Sequence, residues 1–270
     1  MADKAHSFCD YLTLTCRGYT PSLQMRALVT SVWPAHTRSL TKRMQFDGWT
    51  VANGSVFFGS GDIAGHLFYM LQASGAVSHE LLGMVAKAGV NARCTRIDLQ
   101  KTMEINLGDY NCMDVVEETK ARTMEYWVNP SEGTSTIYTG SKHSRKLARL
   151  YVKRLYDDFL RLEFQLRRDY SRIIYDQIVM GGQDAIDGIY QSLVEKSAYP
   201  ESIKKMFYLG VDAVPLRSLV ASKELSDLDG YLEWLDNAHK SLERSLGDDT
   251  RAGPVREWIL RQARMLDRFP

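Results

Sequence analysis

From Leu147 to Arg167 the chain alternates between apolar and polar positions with a period of two. Ala148, Leu150 and Val152 form one set, and Arg149, Tyr151 and Lys153 the other. Leu160, Leu162, Phe164 and Leu166 then alternate with Arg161, Glu163, Gln165 and Arg167. Successive side chains on a strand point to opposite faces. The pattern therefore predicts two strands, each with one buried and one polar face. A long helix is the competing reading, because Leu, Arg and Lys are good helix formers; the strict period of two favours strands.

Weaker signals place the other elements. Asp10–Thr15 alternates and is rich in strand formers, and Val56–Phe58 and His66–Leu71 read as two more strands around a Gly59-Ser60-Gly61-Asp62 turn. Ser78 is expected to cap a helix with Leu81, Leu82 and Val85 on one side and Gly89 as its stop. Thr95–Leu99 reads as a strand with Arg96 and Asp98 on its polar face, and Thr136–Thr139 as another, ended by Gly140. Amphipathic helices are expected over Gln183–Ala198, Ser226–Leu246 and Pro254–Phe269, the last two joined by a linker at 247–253. No internal repeat or low-complexity tract stands out. The class implied is α+β, a central and largely antiparallel sheet with helices on one face. A sheet domain over 1–180 would precede a helical C-terminal region over 181–270.

Composition narrows this little. The 270 residues are 44% hydrophobic and 25% charged, ordinary for a globular protein. No apolar run reaches the length of a membrane span, and the first ten residues lack a secretory signal's apolar core, so no membrane is expected as a partner. Four cysteines without a CxxC pair suggest reduced thiols and a cytoplasmic setting. The net charge of +1 hides an acid-free stretch from Gly133 to Tyr156 that holds Lys142, Arg145, Lys146, Arg149, Lys153 and Arg154. Such a block is either a phosphate track or a solvated face balanced elsewhere.

If the three polar strand faces belong to one sheet, Asp98, Tyr151 and Glu163 stand close together, with Arg96, Arg149, Lys153, Arg161 and Gln165 around them. The set combines a nucleophile, hard oxygen ligands and phosphate-pairing cations. Phosphoryl transfer through a covalent tyrosine needs those parts. Carboxylates select Mg2+ or Mn2+ rather than zinc. The plain alternative makes Tyr151 a packed strand residue, pairs Asp98 with Arg96 and pairs Glu163 with Arg161.

The strings Gly140-Ser141-Lys142-His143-Ser144, Ala148-Arg149-Leu150-Tyr151-Val152-Lys153 and Leu160-Arg161-Leu162-Glu163-Phe164-Gln165-Leu166-Arg167, with Arg96-Ile97-Asp98 upstream, resemble the core of the rolling-circle replication initiation factors, the Rep-trans group of HUH-related tyrosine endonucleases. The resemblance runs over about residues 8 to 175. It implies an HUH-endonuclease-like sheet that nicks one DNA strand and holds its 5′-phosphate on Tyr151, assisted by Arg149 and Lys153. Asp98, Glu163 and Gln165 would hold Mg2+ or Mn2+, since no His-x-His pair exists. Arg96, Lys142, His143, Arg145, Lys146 and Arg161 would contact DNA. The partners implied are single-stranded or hairpin origin DNA, a host helicase and a second copy of the chain. Departures from the family are Lys142 for Arg, Val152 for Asp or Asn, and Gln165 for Glu. A relaxase of a conjugative element, or a DNA-binding regulator without catalysis, are the alternatives.

Overall fold

Strands form where the alternation is strictest. In the computed structural model, which describes residues 6–17, 19–33, 39–43, 45–63, 65–106, 110–129, 131, 133–141, 143–154 and 158–214, the two late strands are β9 (Lys146–Arg154) and β10 (Asp158–Arg167). Before them come β1 (Phe8–Arg17), α1 (Tyr19–Val32), β2 (Ser39–Arg43), β3 (Phe46–Val51), β4 (Val56–Ile63), β5 (His66–Ser74), α2 (Ala76–Ala88), β6 (Arg93–Glu104), α3 (Cys112–Glu118), β7 (Met124–Asn129) and β8 (Thr134–Thr139). After them come α4 (Asp169–Glu195) and α5 (Glu201–Phe207). The ten strands form one sheet in the order β2-β3-β4-β5-β1-β6-β10-β9-β8-β7, and every pairing is antiparallel.

One face is dry. Leu12, Leu14, Leu71, Ile97, Leu99, Ile137, Leu150, Leu162, Phe164 and Leu166 lie on it fully buried, and every helix among the described residues adds side chains to the same cluster, among them Met25, Leu81, Val115, Ile174, Tyr190 and Phe207. The Tyr190 hydroxyl donates to the Leu162 carbonyl at 3.1 Å, which seats α4 on the sheet. The other face carries the polar residues of β6, β9 and β10. Among the described residues no helix is long and apolar enough to cross a membrane.

Several expectations need correcting. The Gly59–Asp62 segment lies inside β4; the reversal follows at Gly65, whose φ is 78° and whose N–H donates to Asp62 at 2.8 Å. Those glycines serve close approach instead: a Cβ on Gly59 would meet the Phe57 ring at 2.5 Å. Ser78 sits within the first turn of α2, and Gly75 is the cap. Gly89 stops the helix as expected, in the left-handed conformation. Helix α4 begins at Asp169, and the non-helical Gly182 interrupts it, so the sequence signal restarts at Gln183. The chain crosses residues 180–181 within α4, and Ile186, Ile189, Leu193 and Val194 are buried in the same cluster as Ile174 and Ile178. Contacts divide the chain at Leu219/Val220. The expected helices Ser226–Leu246 and Pro254–Phe269 lie outside the described residues.

The chain also contains a repeat. Strands and helices run β1-α1-β2-β3-β4-β5-α2 and then β6-α3-β7-β8-β9-β10-α4. The sheet order is symmetric about the β1–β6 pair. Matching hydrogen bonds show that the two halves are built alike. The Ser78 hydroxyl donates to Cys9 and Gly75 carbonyls, and the Ser171 hydroxyl to Cys94 and Arg168 carbonyls. Cap residues Gly75 and Arg168 both have positive φ, 72° and 58°, and donate their N–H to Asp10 and Thr95. Asp10 and Thr95 are the residues skipped where the β1–β6 register shifts.

The Gly140–Ser144 motif is the β8–β9 turn. Gly140 has φ 98°, and a Cβ there would lie 2.9 Å from the Lys146 carbonyl. The Ser144 hydroxyl donates to the Ser141 carbonyl at 2.7 Å. Gly140→Ala is expected to cost about 1–3 kcal/mol through backbone strain, lowering the thermal midpoint, whereas Gly65→Ala, at a φ of 78° with nothing near its Cβ, should cost less. Thermal unfolding of both variants checks the order; equal losses would mean that the contact with Lys146 adds nothing.

Candidate active site

The site is set by register. On β6, β9 and β10, Asp98 lies opposite Gln165, Glu163 opposite Arg149, and Arg161 opposite Tyr151. All six project to the face away from the helices. Asp98 and Glu163 are diagonal neighbours on adjacent strands, each only 1% exposed. Arg96 holds Asp98 in a fork, Nε to Oδ1 at 3.0 Å and Nη2 to Oδ2 at 2.5 Å. Gln165 donates to Asp98 Oδ2 at 3.3 Å. Glu163 is ion-paired with Arg149. Of the two pairings in the plain alternative, that of Glu163 with Arg161 is not made: Arg161 donates to Thr102 at 2.8 Å, and its guanidinium lies 3.7 Å from Asp10 and 3.4 Å from the Tyr151 oxygen. The pairing of Asp98 with Arg96 is made.

The Tyr151 hydroxyl, half-buried, donates to Glu163 Oε2 at 3.3 Å and accepts from Arg161. Burial first, then the Glu163 carboxylate, push the Tyr151 phenol up to about 12, against the pull of Arg161 and Arg149. Burial raises the Glu163 carboxyl, and Asp98 across the strands raises it further, while Arg149 opposes both. Among the described residues, the guanidiniums of Arg96, Arg149, Arg161 and Arg167 share this face with the carboxylates of Asp10, Asp98 and Glu163. The Arg149 Nε is buried with no hydrogen-bond partner among the described residues, one donor left over for an anion.

Asp10 and Tyr11 belong to the site, although strict alternation on β1 would send only one of them to this face. The bulge at Asp10 places two residues between inward-facing Cys9 and Leu12. Arg96 then stacks on the Tyr11 ring at 3.9 Å. Two successive polar-face residues between Cys9 and Leu12 were the available signal. Thr102, which orients Arg161, was missed as well.

The basic block divides. Arg149 joins the site, and the Lys153 backbone pairs with Phe159, its side chain lying outside the described residues. Arg145 lies 3.4 Å from Asp169 in the first turn of α4. Lys146 shares the face of Ala148 and Leu150, the helix side of the sheet. His143 is exposed, and Lys142 and Tyr156 lie outside the described residues. Among the described residues, Lys146 and Arg149 lie on opposite faces of β9.

Asp98 and Glu163 supply two buried carboxylates, the donor type a hard cation takes. Both are held by arginines, Asp98 by Arg96 and Glu163 by Arg149, and Gln165 turns its amide N–H to Asp98 and its carbonyl to Arg167. Among the described residues there is no cluster of three His, Cys, Asp or Glu side chains suited to a metal, so Gln165 would have to serve as the third ligand. No family model and no curated protein matches this chain.

Arg149→Met tests the ionic cluster. It leaves buried Glu163 facing Asp98 without its counter-charge. Breaking a buried pair costs about 3–5 kcal/mol, and the lower end is expected because Arg149 is 30% exposed. The Glu163 carboxyl is already raised in the fold. The folded state therefore holds that proton more tightly than the unfolded chain does, and loss of Arg149 raises the group further. The deficit should be full above the folded pKa and fade as pH falls through it, because a neutral carboxyl needs no cation. Thermal unfolding of both proteins from roughly pH 4 to 8 checks this. A deficit that does not vary with pH would assign Arg149 a packing role only.

Proposed function

We propose that the protein is an HUH-related single-strand DNA endonuclease and strand transferase of the rolling-circle initiator type, with Tyr151 as nucleophile. What carries this reading is the Tyr151 hydroxyl itself: hydrogen-bonded to Glu163 at 3.3 Å and to Arg161 at 3.4 Å, inside a ring of guanidiniums. A tyrosine that only packs needs neither a carboxylate acceptor nor a guanidinium at its hydroxyl. A phosphoryl-transfer nucleophile uses both.

The chemistry follows from those contacts. Tyr151 passes its proton to Glu163 as its oxygen forms a bond to phosphorus. The bond from phosphorus to the 3′-oxygen breaks, and that oxygen takes up a proton to become the free 3′-hydroxyl. Arg161 stabilises the phenolate, which its elevated pKa makes costly otherwise. Arg149, with its unpartnered Nε, is positioned to neutralise the phosphate oxygens. Asp98, Glu163 and Gln165 would hold Mg2+ or Mn2+ in exchange for their contacts with Arg96, Arg149 and Arg167, and the ion would supply further charge neutralisation at the scissile phosphate. The 5′-phosphate stays on the tyrosine until the 3′-hydroxyl returns, so one strand is nicked and rejoined.

Tyr151→Phe removes one oxygen from a half-buried ring and should fold normally. Incubation with labelled single-stranded origin DNA and manganese should give a protein–DNA adduct on a denaturing gel for the wild type and none for the variant. A surviving adduct would move the nucleophile elsewhere. Two further arms test the rest of the assignment. Asp98→Asn should slow nicking by at least about 100-fold and raise the manganese requirement, and undiminished nicking in excess chelator would reject the metal. A relaxase performs the same step on a transfer origin, so cleavage of a hairpin replication origin in preference to a transfer origin separates the two.

A further inference from the structure

Behind β9, on the helix side, lies a crevice of about 270 Å³ that takes no part in the site described above. Residues 120–123, the end of β8 at Thr139 and Gly140, and residues 196–198 just after α4 enclose it. The Lys120 N–H donates to the Ala198 carbonyl at 3.0 Å, and the Gly140 N–H to the Thr123 carbonyl at 3.0 Å, which fixes its walls. Its lining includes four cationic side chains, Lys120, Arg122, Lys146 and Lys196, above the buried Phe164 ring, and no carboxylate among the described residues.

Two observations show that this crevice is short of an anion. Lys146 is half-buried, its charged form is disfavoured by burial and then by Lys196, and no acidic side chain among the described residues pairs with it. A partly desolvated ammonium beside a second one is destabilising unless a counter-charge is supplied. Independently, the Ser197 hydroxyl, which lines the same crevice, is buried with no hydrogen-bond partner among the described residues. Native structures leave few such groups unsatisfied. One acceptor-rich anion would answer both, neutralising Lys146 and Lys196 and accepting from Ser197.

We propose that this crevice is a binding site for a phosphoryl group, held by Lys146, Lys196 and the Ser197 hydroxyl, with Lys120 and Arg122 at its mouth. Its volume falls just under the range of about 300–1,000 Å³ typical of sites for drug-sized ligands, room for a phosphoryl group and a little of what carries it. A phosphate of the DNA backbone and the phosphate of a free mononucleotide share this chemistry. The site is independent of the tyrosine reaction, since Lys146 and Tyr151 lie on opposite faces of β9.

The test uses the full chain. Millimolar inorganic phosphate, against chloride at equal ionic strength, should raise the thermal midpoint of the wild type by roughly 5–10 °C once it is about 100-fold above its dissociation constant. Lys146→Gln should lose most of this rise while keeping or gaining midpoint without phosphate, because the repulsion with Lys196 is gone. Lys196→Gln, an exposed position that does not endanger folding, should lose it too. A second arm measures binding of a single-stranded oligonucleotide in a Tyr151→Phe background. Several-fold weaker binding with Lys146→Gln, relieved by no added phosphate, assigns the site to the DNA backbone. Unchanged oligonucleotide affinity with a lost phosphate response assigns it to a small phosphorylated ligand. Equal phosphate-induced shifts in wild type and both variants, or none in any of them, would overturn the proposal. Because no arm reads adduct formation, these results do not depend on Tyr151 being the nucleophile.

Discussion

Two carboxylates buried side by side on a sheet have to be neutralised, and the polar face of this protein is organised around doing so. Asp98 and Glu163 are each 1% exposed, and each repels the other. Taking one such ion out of water costs several kcal/mol even after relaxation. Arg96 and Arg149 offset this, and each is itself held in place. Arg96 lies over the Tyr11 ring at 3.9 Å, which exists at that position only because β1 bulges at Asp10. Arg149 is fixed by the β9–β10 register that places it opposite Glu163. That register depends in turn on the Gly140 turn and on the dry face that locks β9 and β10 against the helices. A slip of one residue would exchange the charged and apolar faces of both strands.

The internal repeat explains why the site sits where it does. Matching the ladders of the two halves, Gln165 opposite Asp98 corresponds to Gln72 opposite Thr13. Glu163 then corresponds to Met70, Arg161 to Phe68, Arg149 to Gly59 and Tyr151 to Gly61. Among the described residues, the first half carries no matching ionic cluster at these positions. Instead Phe46, Phe57 and Met70 form a small apolar cluster with Ile63 and Phe68. The Phe57 ring and the Gln45–Phe46 backbone crowd against Gly59 and Gly61, where the second half has Arg149 and Tyr151. The same backbone plan thus supports two solutions for the face that the helices leave open: rings packed on glycine, or paired charges. Only the second leaves an ionisable hydroxyl in the middle.

Much of this was legible in the sequence where one physical signal dominated. Period-two alternation from Leu147 to Arg167 gave both strands, their faces and the grouping of Tyr151 with Glu163. It failed where other constraints rule. Strand β7 is an edge whose residues are nearly all exposed, so nothing in its pattern marks an inside. In α1 only Ser22, Met25 and Val29 are buried, too thin a stripe to stand out. Gly59 and Gly61 look like turn residues because glycine serves both turns and close packing. The repeat was hidden because it survives in few letters: Cys9 and Cys94 each two residues before the carbonyl their thiols approach, and Ser78 and Ser171 each three after a cap of positive φ. The pairing of Glu163 with Arg149 is not readable from one strand's spacing, because it is made across strands and set by the β9–β10 register.

The electrostatic balance of the cluster also bears on how a substrate would enter it. Burial holds the phenol of Tyr151 neutral. On the proposed reading, a phosphodiester brings a negative charge among the guanidiniums as it binds. A second anion beside it, the phenolate, is costly in a poorly solvated setting unless its proton leaves to a nearby carboxylate. The contact between Tyr151 and Glu163 is the route that keeps the charge constant: the proton passes between oxygens 3.3 Å apart and no net charge is created. A raised Glu163 pKa suits that role, because a carboxyl of ordinary acidity would accept the proton less readily. The same burial that makes the tyrosine a poor acid thus makes its neighbour a better base, and both follow from placing Asp98 and Glu163 together under the arginines.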